Sequence, residues 1–221
     1  MNDALINING GDVQTLEIIV LLTLISIIPS LLIMTTSFTR IIIVLSILRN
    51  ALGLQQTPPN MVLVSIALFL SLFIMSPVID DINQNAYQPY RDGEFTQIEA
   101  VMAAEAPIKA FMLKQTKTDS INMFLEFADI EPPEEPEQLL DLPLRVVIPA
   151  FMTSELSRAF VMGFMIYIPF LVIDVIVAST LMSMGMIMLP PVMISLPFKI
   201  LLFVVINGWD LLFMTIVRSF N

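Results

Sequence analysis

The 221-residue sequence contains no cysteine and no histidine, and only 14% of its residues are charged. Without cysteine the chain can form no disulfide, thiolate nucleophile or zinc–sulfur site. Without histidine it lacks the usual general base, metal ligand and proton shuttle near neutral pH. Glycine is scarce, at seven residues, and neither of the phosphate-binding motifs GxGxxG and GxxxxGKS/T occurs. These absences argue against an enzyme, and we expect no catalytic residue, no cofactor and no metal site.

Hydrophobic residues are abundant, at 57% of the sequence, with a mean hydropathy of +0.86. Fourteen of the twenty acidic residues and five of the ten basic residues lie within residues 78–149, which gives that segment a net charge of −9. The whole chain has a net charge of −10, which argues against nucleic acid as a partner. The sequence therefore predicts a membrane protein, or a subunit that hides most of its surface in a complex, with an acidic insert between two hydrophobic pairs.

Four apolar stretches are near the length that a helix needs to cross a bilayer core, about 20 residues. They cover residues 16–34, 61–79, 159–181 and 190–217, and the first is open to continuation as far as Leu48. Pro29, Pro169 and Pro197 lie inside apolar stretches and should kink or break them. The double prolines at 58–59 and 190–191 should begin helices.

The predicted fold class is all-α, with hydrophobic helical hairpins and a helical polar insert. The expected segments are a polar tail (1–15), a first hydrophobic pair (16–79), the insert (80–148) and a second hydrophobic pair (149–221). Within the insert we expect a helix over 96–117 that Pro107 kinks or restarts, a short helix over 118–128 and an extended Pro/Glu linker over 131–137.

Lys and Arg in short loops predict the orientation of the chain. The segment between the first two spans carries Arg40 and Arg49 and no acid, which places the 49–60 loop in the cytoplasm and the insert outside. The turn at 182–190 then returns to the cytoplasmic side. Residues 1–12 show no basic segment before an apolar core, so we expect either a mature chain or a tail that crosses unaided.

The most distinctive segment is the methionine-rich run at residues 181–191. Its four alternating methionines are Met182, Met184, Met186 and Met188. Methionine is unbranched and adaptable, so a ring of such segments can form a deformable apolar seal. The alternative is ordinary core packing. Gly185 and the double proline that follows favour a loop.

Charged residues within the apolar stretches are the next candidates, because such groups are costly in lipid and should face protein or water. Asp174, Lys199 and Asp210 suggest structural pairing between helices or subunits, or alternatively a proton path. An aspartyl protease is disfavoured, since Asp210 lacks the expected following motif. Glu155 and Arg158 are spaced for a local helical pair.

Several long motifs, in order, closely resemble the FliP/SctR family, the inner-membrane export gate of bacterial type III secretion systems. The matching motifs are Met34–Val44, Leu48–Gly53, Pro58–Asn60, Phe73–Asp80, Ala86–Pro89, Ala110–Thr116, Pro149–Ala150, Thr153–Leu156, Ile168–Phe170, Ile173–Asp174, Gly185–Pro191, Leu196–Lys199 and Gly208–Trp209. The resemblance covers residues 16–220. Two stretches, Ser37–Arg40 and Ala86–Tyr90, are more similar to the flagellar branch than to the injectisome branch.

The resemblance implies a non-enzymatic subunit of a ring-like or helical homo-oligomer, pentameric in the family, at the bacterial inner membrane and flagellar basal body. The implied sister subunits are FliQ and FliR, and the further protein partners are FlhB, FlhA and the basal-body ring. The resemblance also implies contact with membrane lipid and with unfolded export substrates. Much of the assembled protein would lie on the periplasmic side. The family's methionine seal maps onto Met186 and Met188, with Met182 and Met184 nearby. We also expect an intersubunit ion pair between Lys117 and Glu155. The alternative function is a proton- or solute-coupled transporter that uses Asp174, Lys199 and Asp210.

Overall fold

The computed structural model describes residues 4–8, 11–133, 136–186 and 188–220. Within these ranges the chain is almost entirely helical, which confirms the all-α prediction. The exception is an antiparallel hairpin of β1 (Ala4–Ile8) and β2 (Gly11–Gln14), in the segment predicted as a polar tail.

Nine α-helices are present among the described residues. In chain order they are α1 (Thr15–Thr35), α2 (Phe38–Ala51), α3 (Asn60–Ile82), α4 (Gln88–Arg91), α5 (Gln97–Gln115), α6 (Thr118–Phe127), α7 (Leu144–Ser183), α8 (Pro191–Val205) and α9 (Gly208–Arg218). A π-helical turn at Asn83–Tyr87 joins α3 to α4, and a 3-10 helix at Pro136–Asp141 precedes α7. Pro59 and Pro190 directly precede α3 and α8, as the double prolines predicted.

Three segments are long and apolar enough to cross a membrane: Ile18–Thr35, Asn60–Arg91 and Leu144–Ser183. The bent pair α8–α9 is a fourth candidate, so the four apolar stretches of the sequence all correspond to helices. The first stretch does not continue to Leu48 as one helix, because α1 ends at Thr35 and α2 begins at Phe38.

The break in the fourth stretch is not where a proline predicted it. Pro29, Pro169 and Pro197 each lie inside a helix that continues past them. A proline removes one backbone hydrogen bond, which neighbouring structure in an apolar helix can tolerate. The chain breaks instead at Asn207, which adopts the left-handed conformation with φ +50°, and α8 and α9 meet there at 66°.

The centre of the apolar half is α2, which packs along α7 and α3. Ile41, Val44 and Leu45 of α2 are buried in this core. Gly163 of α7 allows the close approach of the two helices, because a Cβ atom there would collide with the side chain of Ile47. α2 and α7 therefore form the spine of the fold.

The insert packs on the amino-terminal part of α7 through a second cluster that includes Met112, Leu125 and Phe151. α5 begins at a capping box, in which Thr96 N–H donates to Glu99 Oε2 at 2.7 Å and Glu99 N–H donates to Thr96 Oγ1 at 3.4 Å. Pro107 does not restart α5. Residues 131–133 of the predicted linker are not helical, residues 134–135 lie outside the described residues, and the 3-10 helix begins within the linker at Pro136.

The α2–α3 loop and the start of α8 lie at the same end of the molecule. A Cβ atom at Gly53 would stand 3.9 Å from the side chains of Val192 and Leu196. This arrangement fits the expectation that the 49–60 and 182–190 loops share one side of the membrane; the side itself stays a prediction.

Candidate functional site

The methionine-rich segment forms the end of α7 and the turn that follows. Gly185 N–H donates to Met182 O at 3.0 Å, and Met186 N–H donates to Leu181 O at 3.0 Å. Together with a φ of +76° at Gly185, these two bonds form a Schellman motif, which stops a helix. Glycine adopts the left-handed conformation without the steric cost that other residues bear.

The turn presents its methionines outward. Met182 and Met184 are each 65% exposed, Met188 is 98% exposed and Met186 is partly buried. Ile187 lies outside the described residues. Packing in the core of this chain therefore does not account for Met182, Met184 and Met188, which form an exposed, flexible apolar surface.

Asp174 and Lys199 form a partly buried ion pair, and a further hydrogen bond from Lys199 connects it to a third helix. Lys199 Nζ donates to Asp174 Oδ2 at 2.6 Å and to the backbone oxygen of Ala51 at 3.1 Å, and Ser195 Oγ donates to Asp174 Oδ1 at 2.6 Å. Lys199 is 2% exposed. Its ammonium thus also satisfies a free carbonyl at the carboxyl-terminal end of α2, where the helix dipole favours a cation. The sequence suggested that Lys199 pairs with either Asp174 or Asp210, and in the structure its partner is Asp174.

Asp210 is not part of this network. It is exposed in the first turn of α9, and the described residues offer it no ion pair. The structure therefore does not bring Asp174, Lys199 and Asp210 together as a relay.

A second ion pair stands at the start of α2, between Arg40 and Glu155 of α7, and both side chains are 0% exposed. Arg40 Nε donates to Glu155 Oε2 at 2.9 Å, and Nη2 donates to Glu155 Oε1. The two remaining partners are Gln115 Oε1, at 3.2 Å from Nη2, and Ser219, whose O and Oγ atoms each lie 2.9 Å from Nη1. The five N–H donors of the guanidinium are all satisfied. Its central carbon lies 3.7 Å from the centre of the Phe220 ring, a cation–π contact.

This arrangement corrects the expected ion pair between Lys117 and Glu155. Glu155 is fully buried and holds Arg40, so its carboxylate is not available to a neighbouring subunit. Lys117 Nζ donates instead to Ser157 Oγ at 2.7 Å. Arg158 donates to Gln115 Oε1 at 3.3 Å rather than forming a local ion pair with Glu155.

Sequence reasoning missed the central role of Arg40. The available signal was a lone arginine and a lone glutamate, both within mostly apolar segments. Charges in such surroundings need opposite partners. The separation of 115 residues gave no local rule for pairing Arg40 with Glu155.

The fold and these two ion pairs define an α-helical membrane protein whose buried charges connect helices. Its exposed surface, apart from the insert, is largely apolar. Residues 21–216 match the model of the FliP family, and the chain belongs to this family.

The chain is also similar over nearly its whole length to curated proteins named "Flagellar biosynthetic protein FliP". It is 52% identical to the one from Bacillus subtilis (strain 168), over 94% of this chain and 92% of the relative. It is 50% identical to the one from Aquifex aeolicus (strain VF5), over 96% of this chain and 88% of the relative. A third, from Pectobacterium carotovorum subsp. carotovorum, is 48% identical over 96% of this chain and 82% of that protein.

Proposed function

We propose that this chain is a core subunit of the flagellar type III protein export gate, through which unfolded flagellar proteins cross the inner membrane. The observation that carries the proposal is membership of the FliP family over residues 21–216, with relatives whose names assign them to flagellar biosynthesis. In this proposal several copies, five by resemblance to the family, assemble with FliQ and FliR. The role is passive and non-enzymatic.

The exposed apolar surface supports an assembled state. Soluble monomers rarely expose continuous apolar patches larger than a few hundred Å². Here α1, α3, α7 and α8 all carry exposed large hydrophobic side chains, such as Phe69 at 70%, Phe164 at 63% and Val205 at 71%. Lipid and the faces of other subunits are the two surroundings that suit such surfaces.

The methionine turn supports a seal. Its side chains are exposed in the single chain, unbranched and polarizable, so copies from several subunits can close around an empty pore and deform around a passing polypeptide. The Schellman motif at Gly185 fixes the position of the turn while leaving these side chains free to repack.

The test of the assembly is native mass spectrometry of the detergent-extracted protein, expressed with its neighbouring operon products. We expect a discrete multi-copy complex that carries two other small hydrophobic subunits. A stable monomer or dimer without such partners would contradict the proposal.

The test of the seal is leakage through the assembled complex. We expect Met186→Gly with Met188→Gly to raise the leakage of ions and small molecules. The matched control is Met102→Ala, since Met102 is 67% exposed but lies on α5 in the insert. Equal leakage from the control and the turn variant would show that these methionines do not seal the pore.

A further inference from the structure

α9 exposes a partly polar face, unlike the apolar helices around it. Leu212 and Ile216 are buried on one side. Asp210 and Arg218 are exposed on the other side, eight residues apart along one stripe, and Asn207, the residue directly before the helix, is exposed as well. The exposed Met214 lies between Asp210 and Arg218, and the exposed Leu211 lies beside them, so polar and apolar groups are mixed on this face.

This stripe is poorly suited to lipid. A carboxylate facing hydrocarbon is costly, and the described residues provide Asp210 with no basic partner within 4 Å. The 66° break beside it interrupts the helical hydrogen bonds, and such irregular backbone is tolerated at membrane depth only where protein or water covers it. The exposed face of α8 differs, since Leu201 and Val204 there are apolar and more than 60% exposed.

The polar groups of the stripe also match the chemistry of an unfolded chain. Asn207 offers both a donor and an acceptor, Asp210 offers acceptors and Arg218 offers donors. An unfolded polypeptide exposes N–H and C=O groups along its whole backbone, whatever its side chains. A surface with both kinds of partner and both signs of charge can therefore contact many sequences without selecting one.

We propose that Asn207, Asp210 and Arg218 line the water-filled passage of the assembled gate and contact the backbone of the polypeptide in transit. The inference rests on the proposed function, and it adds a second pore-lining element to the methionine turn: α9, beyond the break after α8.

The proposal can be tested by cysteine labelling. The chain has no native cysteine, so each engineered thiol is the only one in it. We would make Asn207→Cys and Asp210→Cys, with Leu201→Cys on α8 and Ile176→Cys on α7 as apolar controls that are about equally exposed in the single chain, at 61% and 59%. The assembled complex in membrane vesicles is treated with a charged, membrane-impermeant methanethiosulfonate. The cysteine thiolate attacks the reagent's sulfenyl sulfur, forms a mixed disulfide and releases methanesulfinate, and this thiolate forms in water and not in an apolar environment.

We expect the thiols at 207 and 210 to be modified and those at 201 and 176 to stay unmodified. Mass spectrometry detects the modification as an increase in the mass of the chain. A fusion substrate stalled in the gate should then suppress modification at 210. Unreactive thiols at 207 and 210, or controls that react equally, would overturn the assignment to water. Modification that a stalled substrate leaves unchanged would overturn the contact with the polypeptide.

Failure of this inference is distinguishable from failure of the proposed function. If the complex assembles, supports flagellar export and leaves position 210 unlabelled, the proposed function stands and α9 does not line the passage. If the native chain neither assembles with partners nor supports export, the proposed function itself is wrong.

Discussion

Removing Arg40 should destabilise the fold far more than removing an ordinary surface arginine. The change Arg40→Met leaves the Glu155 carboxylate buried with its cation lost, and breaking a buried pair in this way costs about 3–5 kcal/mol. Gln115 Oε1 still accepts a hydrogen bond from Arg158, so losing the Arg40 donor costs little at this atom. The backbone oxygen of Ser219, a partly buried residue, loses the Arg40 donor, at the net cost of an ordinary hydrogen bond, about 0.5–1.5 kcal/mol.

The double change Arg40→Met with Glu155→Leu separates these contributions. It removes both charges together, so the main remaining cost is the lost hydrogen bond to the backbone oxygen of Ser219, about 0.5–1.5 kcal/mol. The double variant should therefore be more stable than Arg40→Met alone. Arg40→Lys should not restore stability, because an ammonium has three donors and cannot reproduce the two-pronged contact with Glu155.

Thermal unfolding in detergent, followed by the fluorescence of the single tryptophan, Trp209, measures the effect. We expect Arg40→Met to lower Tm by on the order of 10 °C. The matched control is Arg91→Met, which removes an ion pair with Asp92 whose side chains are 63% and 57% exposed, and should cost about 0–1 kcal/mol. If the double variant is as unstable as the sum of Arg40→Met and Glu155→Leu, the two residues are not coupled and the reasoning is wrong.

Two further predictions concern the other ion pair and the cap of α5. Lys199→Met leaves Asp174 without its cation, but the Asp174 side chain is 24% exposed and keeps the Ser195 donor, so we expect a smaller loss, about 1–3 kcal/mol. A second change, Asp174→Leu, should restore part of this loss in the same unfolding assay, and no restoration at all would contradict the pairing. Thr96→Ala removes the cap of α5 and should cost about 1 kcal/mol, seen as faster amide exchange in its first turn. The hydrogen bond from Thr96 N–H lowers the pKa of Glu99 below its ordinary value. The stabilisation from the charged carboxylate is therefore present above the unfolded-state pKa and is lost as the pH falls through the lower folded-state pKa. Exchange in that turn should rise over this acidic range, and a flat profile would show that the ionised carboxylate does not hold the cap.

Helix positions were largely predictable, because their signals are local. The apolar run at 61–79 and the prolines before it located α3, which spans Asn60–Ile82. Thr96, followed three residues later by Glu99, is a capping box, and α5 begins immediately after Thr96. These features depend on neighbouring residues alone, so the sequence displays them directly.

The break in the last apolar stretch was predictable in type but was assigned to the wrong residue. Asn followed by Gly, at 207–208, marks a turn, since Asn tolerates the left-handed conformation. Gly208 is required there because a Cβ atom would collide with the ring of Phe203. The sequence analysis placed the break at Pro197 instead, although tertiary packing lets α8 continue through this residue.

Ion-pair partners were only partly predictable, because pairing across helices depends on the tertiary fold. Lys199 and Asp174 lie 25 residues apart in neighbouring apolar stretches, which made their pairing one of two alternatives. Arg40 meets α7, the end of α5 and the residue after α9, and no sequence spacing joins these three. The mistaken pairing of Glu155 with Lys117 arose from expecting a subunit contact where the fold had already supplied an internal partner.

The internal pairing of charges has a consequence for assembly. Arg40 with Glu155, and Lys199 with Asp174, connect α2 to α7 and α8 within one subunit, so the faces left for association are mainly apolar. The insert carries most of the net negative charge, and like charges on adjacent copies repel. Raising the salt from about 0.1 to 1 M shortens the screening length from about 10 to 3 Å. High salt therefore weakens the repulsion and leaves buried pairs and apolar contacts largely unaffected. We expect the proposed oligomer to persist or strengthen in 1 M salt, as measured by size-exclusion chromatography and by native mass spectrometry after buffer exchange. Dissociation at high salt would show that ion pairs between subunits, rather than apolar faces, hold the assembly together.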